Sequence, residues 1–302
     1  MRGTLETLLY NERGLRSGWR LLAYIVFVFC ITVVSGAILR EFIRPARGAF
    51  SPGYLAFTEA WTASVVLVAA LIMARIERRP FGVYGLGFTP GFVKRFLQGV
   101  ALGLAEASAL IGLIAALGGY SFGSLATHGT AALRWGAFWA LFFFLVGIFE
   151  EFTFRGYTLY TLADGIGFWP AAIALSLLFG GVHLKNRGED IAGACAVVII
   201  GLIFALSLKR TGTLWFAVGM HAGFDYAETF LFSVPNSGAV FTGHLSNAAM
   251  PGPAWLTGGS VGPEASVFSF VTMAAVAVVI HLWFPATPKP RATVNEAPQP
   301  AQ

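Results

Sequence analysis

Charge is scarce in this sequence. Only 12% of its 302 residues are Asp, Glu, Lys or Arg, against about 25% in a soluble domain. A chain so poor in charge cannot cover a water-facing surface, which excludes an ordinary soluble globule. Cysteine is scarce as well: Cys30 and Cys195 are the whole supply. Two cysteines without a CxxC spacing exclude a disulfide-stapled fold and a cysteine-rich zinc module. Both fall in apolar runs, where packing as small hydrophobes is the expectation. No repeat with a period of about 20–50 residues is visible, which excludes a solenoid.

Apolar side chains fill the space that charge leaves. The chain is 56% hydrophobic, with a mean hydropathy of +0.71. Eight mostly apolar runs are present: 21–39, 55–74, 96–117, 135–149, 168–182, 191–208, 214–232 and 267–284. With their flanks, each approaches the roughly 17–25 residues that a bilayer-spanning helix needs. The expectation is therefore an all-α, polytopic membrane helix bundle of about eight transmembrane helices. The runs at 135–149 and 168–182 are short, so seven spans and a re-entrant piece is the variant. Around this domain, at 19–284, stand an N-terminal tail (1–18) and a tail at 285–302 with five prolines, expected to be disordered. The first run is read as an uncleaved span.

The net charge of +5 follows topology. With a cytoplasmic N-terminus and eight spans, Lys and Arg divide 14 inside to 6 outside, the bias that orients membrane proteins. Both termini are then cytoplasmic, and the membrane is the inner one if the cell is bacterial. Basic residues meet anionic lipid head groups, and nucleic acid is not an expected partner. The loop at 233–264 lacks Lys and Arg altogether, as an external loop does. Its length allows a lid or a plain solvated connection.

Ionisable residues within spans are few, and each costs about 2.5–3.5 kcal/mol at a span centre. They are Glu106, Glu150, Glu151, Arg155, His183, His221, Asp225 and Glu228; Glu59, near a span end, is expected to be interfacial. Glu150 and Glu151 diverge by about 100° around a helix, so they do different jobs. Glu151 and Arg155 stand at i, i+4 and can pair, leaving Glu150 free for a cavity. His221 and Asp225 share a face one turn apart. Together Glu150, His183, His221 and Asp225 could bind a metal or activate water. Glu106 is expected to be structural, paired with a histidine or with Arg155, and Glu228 to support Asp225 or lie near the outer surface. Depth poses a difficulty. Hydropathy puts Glu150 and His183 toward opposite membrane faces, unless span 4 continues to about Leu162, which makes about 42 Å of helix from Trp135.

Three motifs in order carry a family resemblance. "EEFTFR" (Glu150–Arg155) matches EExxxR, "FGGVH" (Phe179–His183) matches FxxxH, and "HAGFD" (His221–Asp225) matches HxxxN/D. The chain resembles the CPBP family of intramembrane proteases, also called Abi, named for CAAX proteases and bacteriocin-processing enzymes. "RRPFGVYGLG" at 78–87 extends the likeness, which covers about 75–230. The resemblance implies an endopeptidase acting on a hydrophobic or lipidated membrane peptide. It implies Glu150, Glu151, Arg155, His183, His221 and Asp225 as the catalytic set. Two chemistries stay open. In one, His183, His221 and Asp225 hold Zn²⁺ and Glu150 is general base. In the other, no metal is used: Glu150 and one histidine activate water, and the other histidine and residue 225 meet the oxyanion. An ionised aspartate accepts hydrogen bonds and cannot donate them, which tilts position 225 toward a metal ligand. The competing readings are a proton-coupled transporter and a non-catalytic immunity or scaffold protein. No inverted repeat of the transporter kind is visible.

Overall fold

The computed structural model describes residues 4–11, 14–42, 51–186 and 188–285. The proline-rich tail falls outside these residues. In hydrocarbon each peptide group must find its partner within the protein, and all eight apolar runs are helical. The elements are α1 (Thr4–Leu9), a short hairpin of β1 (Tyr10–Asn11) and β2 (Gly14–Leu15), α2 (Ser17–Phe42), α3 (Pro52–Ile76), α4 (Phe92–Ala116), α5 (Gly129–Arg155), α6 (Tyr157–Ile166), α7 (Phe168–His183), α8 (Ile191–Thr211), α9 (Trp215–Tyr226), α10 (Ala254–Thr257) and α11 (Val267–Trp283). Five stretches are long and apolar enough to cross a membrane: α2, α3, α4, α8 and the run 129–166 formed by α5 and α6; α7 and α11 are shorter and equally apolar. The chain is an integral membrane helix bundle.

The long run at 129–166 resolves the depth difficulty. Helix α5 begins six residues before the apolar run and carries on past Glu150, and α6 follows after a single break at Gly156. Glu150 therefore lies well inside a helical run rather than at its end. Polar side chains in the last turns of α5 hid this continuation from hydropathy.

Helices α4 and α9 form the tightest crossing. Gly99 and Gly103 on α4 face Gly219 and Gly223 on α9, each pair one turn apart. A Cβ on Gly99 would stand 2.1 Å from Phe216 O, and one on Gly103 would stand 2.0 Å from Met220 O. In return, a Cβ on Gly219 would stand 2.1 Å from Phe96 O. Small residues that let backbones touch are what bind helices in lipid, where the hydrophobic effect does not drive association. On α5, a Cβ at Gly147 would lie 3.0 Å from Val218 O, so α9 is gripped from two sides. This grip brings His221 and Asp225 against the glutamates of α5.

At the opposite edge, α2 is peripheral and buries only Arg20 and Tyr24. The Arg20 guanidinium donates to both Glu77 carboxylate oxygens, at 3.1 and 2.8 Å, and to Asp164 Oδ2 at 2.9 Å. This fork ties α2 to the end of α3 and to α6, and the Tyr157 hydroxyl also donates to Glu77.

Two sequence expectations change. Cys30 and Cys195 are exposed on their helices, so they face outward instead of packing inside. An outward face of a membrane bundle is as apolar as its core, and composition cannot separate the two. The segment after α9 is not a plain solvated connection. A π-helical turn (Ala227–Leu231) leads into it, and backbone bridges join Ser121 to Ala249 and Leu125 to Ser246. Phe241 inserts beside Trp139 with ring centroids 4.9 Å apart.

Candidate active site

A cavity of about 420 Å³ lies between the helices, and Glu150, His183, His221 and Asp225 all line it. They reach it from α5, α7 and α9, brought together from positions more than 70 residues apart in the chain. His221 stands at the centre. Its Nδ1 is 3.0 Å from Glu151 Oε1, and its Nε2 is 3.4 Å from Asp225 Oδ2 and 3.8 Å from Glu150 Oε2. The Phe204 ring stacks on the imidazole, 9° from parallel with centroids 5.3 Å apart. Ring plane and edges are thus all fixed.

Glu151 and Arg155 are brought to the same region, but neither lines the cavity. Both are buried, with Arg155 Nη1 3.3 Å from Glu151 Oε1. The guanidinium sits 4.4 Å from the Phe179 ring centroid and 5.6 Å from that of Phe204, close enough for cation–π attraction. A Cβ on Gly201 would stand 2.4 Å from Arg155 Nη2, so α8 makes room for the arginine by having no side chain there. Arg155 thus contacts Glu151, and Glu151 contacts His221.

His183 closes α7. Its Nδ1 lies 2.8 Å from Phe179 O. A carbonyl only accepts, so Nδ1 carries the hydrogen and a neutral ring presents a lone pair at Nε2. The Phe179 ring meets it edge to face at 4.5 Å. Phe179 thereby contacts both His183 and Arg155, which accounts for an aromatic four residues before the histidine.

The ligand set named for zinc can be tested on this geometry. Among the described residues no group of three His, Cys, Asp or Glu side chains is placed to hold a metal ion. His221 engages Glu151 and His183 a carbonyl through Nδ1, the kind of bond that the second nitrogen of a metal-bound histidine makes. As placed, the three side chains form no such group, and no chemistry is routed through a zinc ion below.

Residues 132–227 match the Rce1-like family model, described as type II CAAX prenyl endopeptidase Rce1-like. This segment, about a third of the chain, is similar to that family of CAAX endopeptidases. The Rce1-like segment contains all six residues of the three motifs, and ends at the π-helical turn. It leaves out α2, α3, α4 and the residues after 227, although α4 supplies half of the closest helix crossing. No curated protein matches the chain in a sequence comparison.

Several residues around the Rce1-like site escaped the sequence reading. Glu59 lines the cavity, on the side where α3 packs against α5. Glu106 lines it too, 4% exposed, and its Oε2 has no hydrogen-bond partner. Among the described residues it pairs with neither a histidine nor Arg155. Glu228 is fully buried, and one of its oxygens accepts from Asn236 Nδ2 at 3.4 Å. Glu264, at the end of the 233–264 loop, reaches the cavity and accepts the Ser237 backbone N–H. Nothing in a polar loop marks Glu264 beforehand. The glycine pairs at 99/103 and 219/223 were legible as GxxxG spacings.

Burial pushes the Glu264 carboxyl up to about 8, helped by the Asp225 charge, while the Ser237 N–H acts against the rise. Folded Glu264 keeps its proton to about pH 8, whereas an unconstrained glutamate loses it near 4.5. Protonation therefore stabilises the folded protein fully below 4.5, and this contribution is lost as the pH rises to about 8. Thermal unfolding of the purified protein is expected to shift downward across that window. Glu264→Gln is expected to flatten the slope; an unaltered slope in this variant would refute the assignment.

Proposed function

We propose that this chain is an intramembrane endopeptidase in which Glu150 activates water against a peptide bond of a hydrophobic or lipidated membrane peptide. The observation that carries this reading is the convergence of Glu150, His183, His221 and Asp225 on one cavity inside a helix bundle, within an Rce1-like segment. Glu150 takes a proton from water as the water oxygen bonds to the carbonyl carbon. Held between Glu151 and Asp225, His221 carries positive charge opposite the developing oxyanion. When the carbon–nitrogen bond breaks, the proton passes from Glu150 to the leaving amine. His183 Nε2 accepts from the attacking water or from the new amine and orients it. Helices exclude bulk water, so each charge acts in a medium of low dielectric. The termini lie on the cytoplasmic side in this reading, and the surrounding partner is membrane lipid.

Asp225→Asn tests the role at that position. As an acceptor that fixes His221, Asp225 is not replaceable, and the variant is expected to lose about 10²-fold or more in kcat. Activity retained in the asparagine variant would assign residue 225 as an oxyanion donor instead. Mass spectrometry of membrane peptides, from cells with and without the protein, supplies substrates for the assay. Purified wild-type protein that cleaves none of the peptides it depletes in cells would refute the endopeptidase reading.

A further inference from the structure

The cavity is acidic well beyond what hydrolysis uses. Glu59, Glu106, Glu150, Asp225 and Glu264 line it, and among the described residues no Lys or Arg does. Arg155, buried nearby, is engaged with Glu151 behind the wall. Away from Glu150, three carboxylates from separate elements gather: Glu106 from α4, Asp225 from α9 and Glu264 from the 233–264 loop. Glu228 backs them, within electrostatic reach of all three. The apolar lining, which includes Leu110 and Met273, gives these groups little solvation.

Two buried oxygens in this cluster are unsatisfied. Glu106 Oε2 lacks any hydrogen-bond partner, and so does Glu228 Oε1. Glu106 is 4% exposed and faces the cavity. A buried carboxyl without a partner is costly in either protonation state, and the cost disappears when a donor arrives. The spacing says what kind of donor. No three of these groups are close enough to share a metal ion, whereas an ammonium or guanidinium presents several N–H donors over a wider span.

We propose that the cavity takes a substrate whose otherwise apolar segment carries one cationic side chain, lysine or arginine, seated between Glu106 and Glu264 beside Asp225. This inference rests on the endopeptidase reading for the word substrate, and on the carboxylates alone for the cation. A cation arriving there takes the place of the proton that burial otherwise keeps on Glu264.

The test uses full-length protein in lipid nanodiscs. Three fluorescent, C-terminally amidated peptides share one apolar sequence and differ at a central position: lysine, norleucine or glutamate. Binding is measured by anisotropy in a Glu150→Gln background, so turnover does not interfere. The lysine peptide is expected to bind about tenfold tighter than the norleucine peptide, with the glutamate peptide weakest. Glu106→Gln and Glu264→Gln are each expected to bring the lysine-to-norleucine ratio close to one. Equal binding of the three peptides, or an unchanged ratio in both variants, overturns the proposal. Should one variant fail to elute as folded protein, the ratio in the other and the order among the three peptides decide. Hydrolysis by the Glu150-containing protein is then followed by mass spectrometry. A lysine preference in binding with no cleavage refutes the endopeptidase reading and leaves the cation site standing. Cleavage with no lysine preference does the reverse.

Discussion

Glu150→Gln is expected to lower kcat by about 10²–10⁴-fold, the usual worth of a general base, with little change in KM. Glutamine keeps the shape of the side chain and its place 3.8 Å from His221 Nε2, but it cannot take a proton from water. An interaction made only in the transition state shows itself in kcat. Initial rates on a depleted membrane peptide, with purified protein in nanodiscs, measure both constants. The neighbouring substitution Glu151→Gln separates the roles of the two glutamates. Glu151 is fully buried between Arg155 and His221, so its loss leaves a buried guanidinium without its counter-charge. Breaking such a pair costs about 3–5 kcal/mol. Glu151→Gln is thus expected to lower both thermal stability and kcat, whereas Glu150→Gln lowers kcat alone. A Glu150→Gln protein that hydrolyses at the wild-type rate would remove Glu150 from the mechanism.

The second large effect is structural and reaches the site through the backbone. Gly103→Leu is expected to yield no folded protein, whereas Gly112→Leu on the same helix is expected to fold and cleave. A Cβ at residue 103 would stand 2.0 Å from Met220 O, while one at residue 112 meets nothing within 4 Å. Overpacking a core ordinarily costs about 1–3 kcal/mol because side chains can yield. Here the obstacle is the carbonyl of the residue next to His221, and a helix backbone yields only by moving as a whole. Such a shift carries His221 and Asp225 away from α5. Size-exclusion profiles and helical circular dichroism of the two variants make the comparison. Equal recovery of both would refute the α4–α9 backbone contact as a constraint on the fold.

How much of this was legible beforehand differs from residue to residue. The i, i+4 spacing of Glu151 and Arg155 dictates a shared helix face, and the ion pair is there at 3.3 Å. The same arithmetic leaves Glu150 on another face, which turns out to be the cavity side. Local geometry sufficed because both facts lie within two turns of one helix. Glu59 and Glu264 defeated the reading because their place depends on which helices become neighbours. Hydropathy also misplaced the end of span 4, since a buried Glu151–Arg155 pair counts as polar in a sum over residues even though the pair neutralises itself. The outward-facing cysteines fall in the same class: lipid and protein interior are equally apolar solvents for a thiol.

The sequence by itself determined that the chain is a bundle of membrane helices, because hydrocarbon permits no other backbone for runs this long and apolar. It also determined which side chains were too costly to bury without cause, and the order of the three motifs. Tertiary structure decided the rest. Contact between glycine faces on α4 and α9 set the place of His221 beside α5, and packing of α3 and the 233–264 loop turned further carboxylates toward the cavity. These are properties of distance between segments remote along the chain. No local spacing encodes them, because they exist only once the helices have chosen their neighbours.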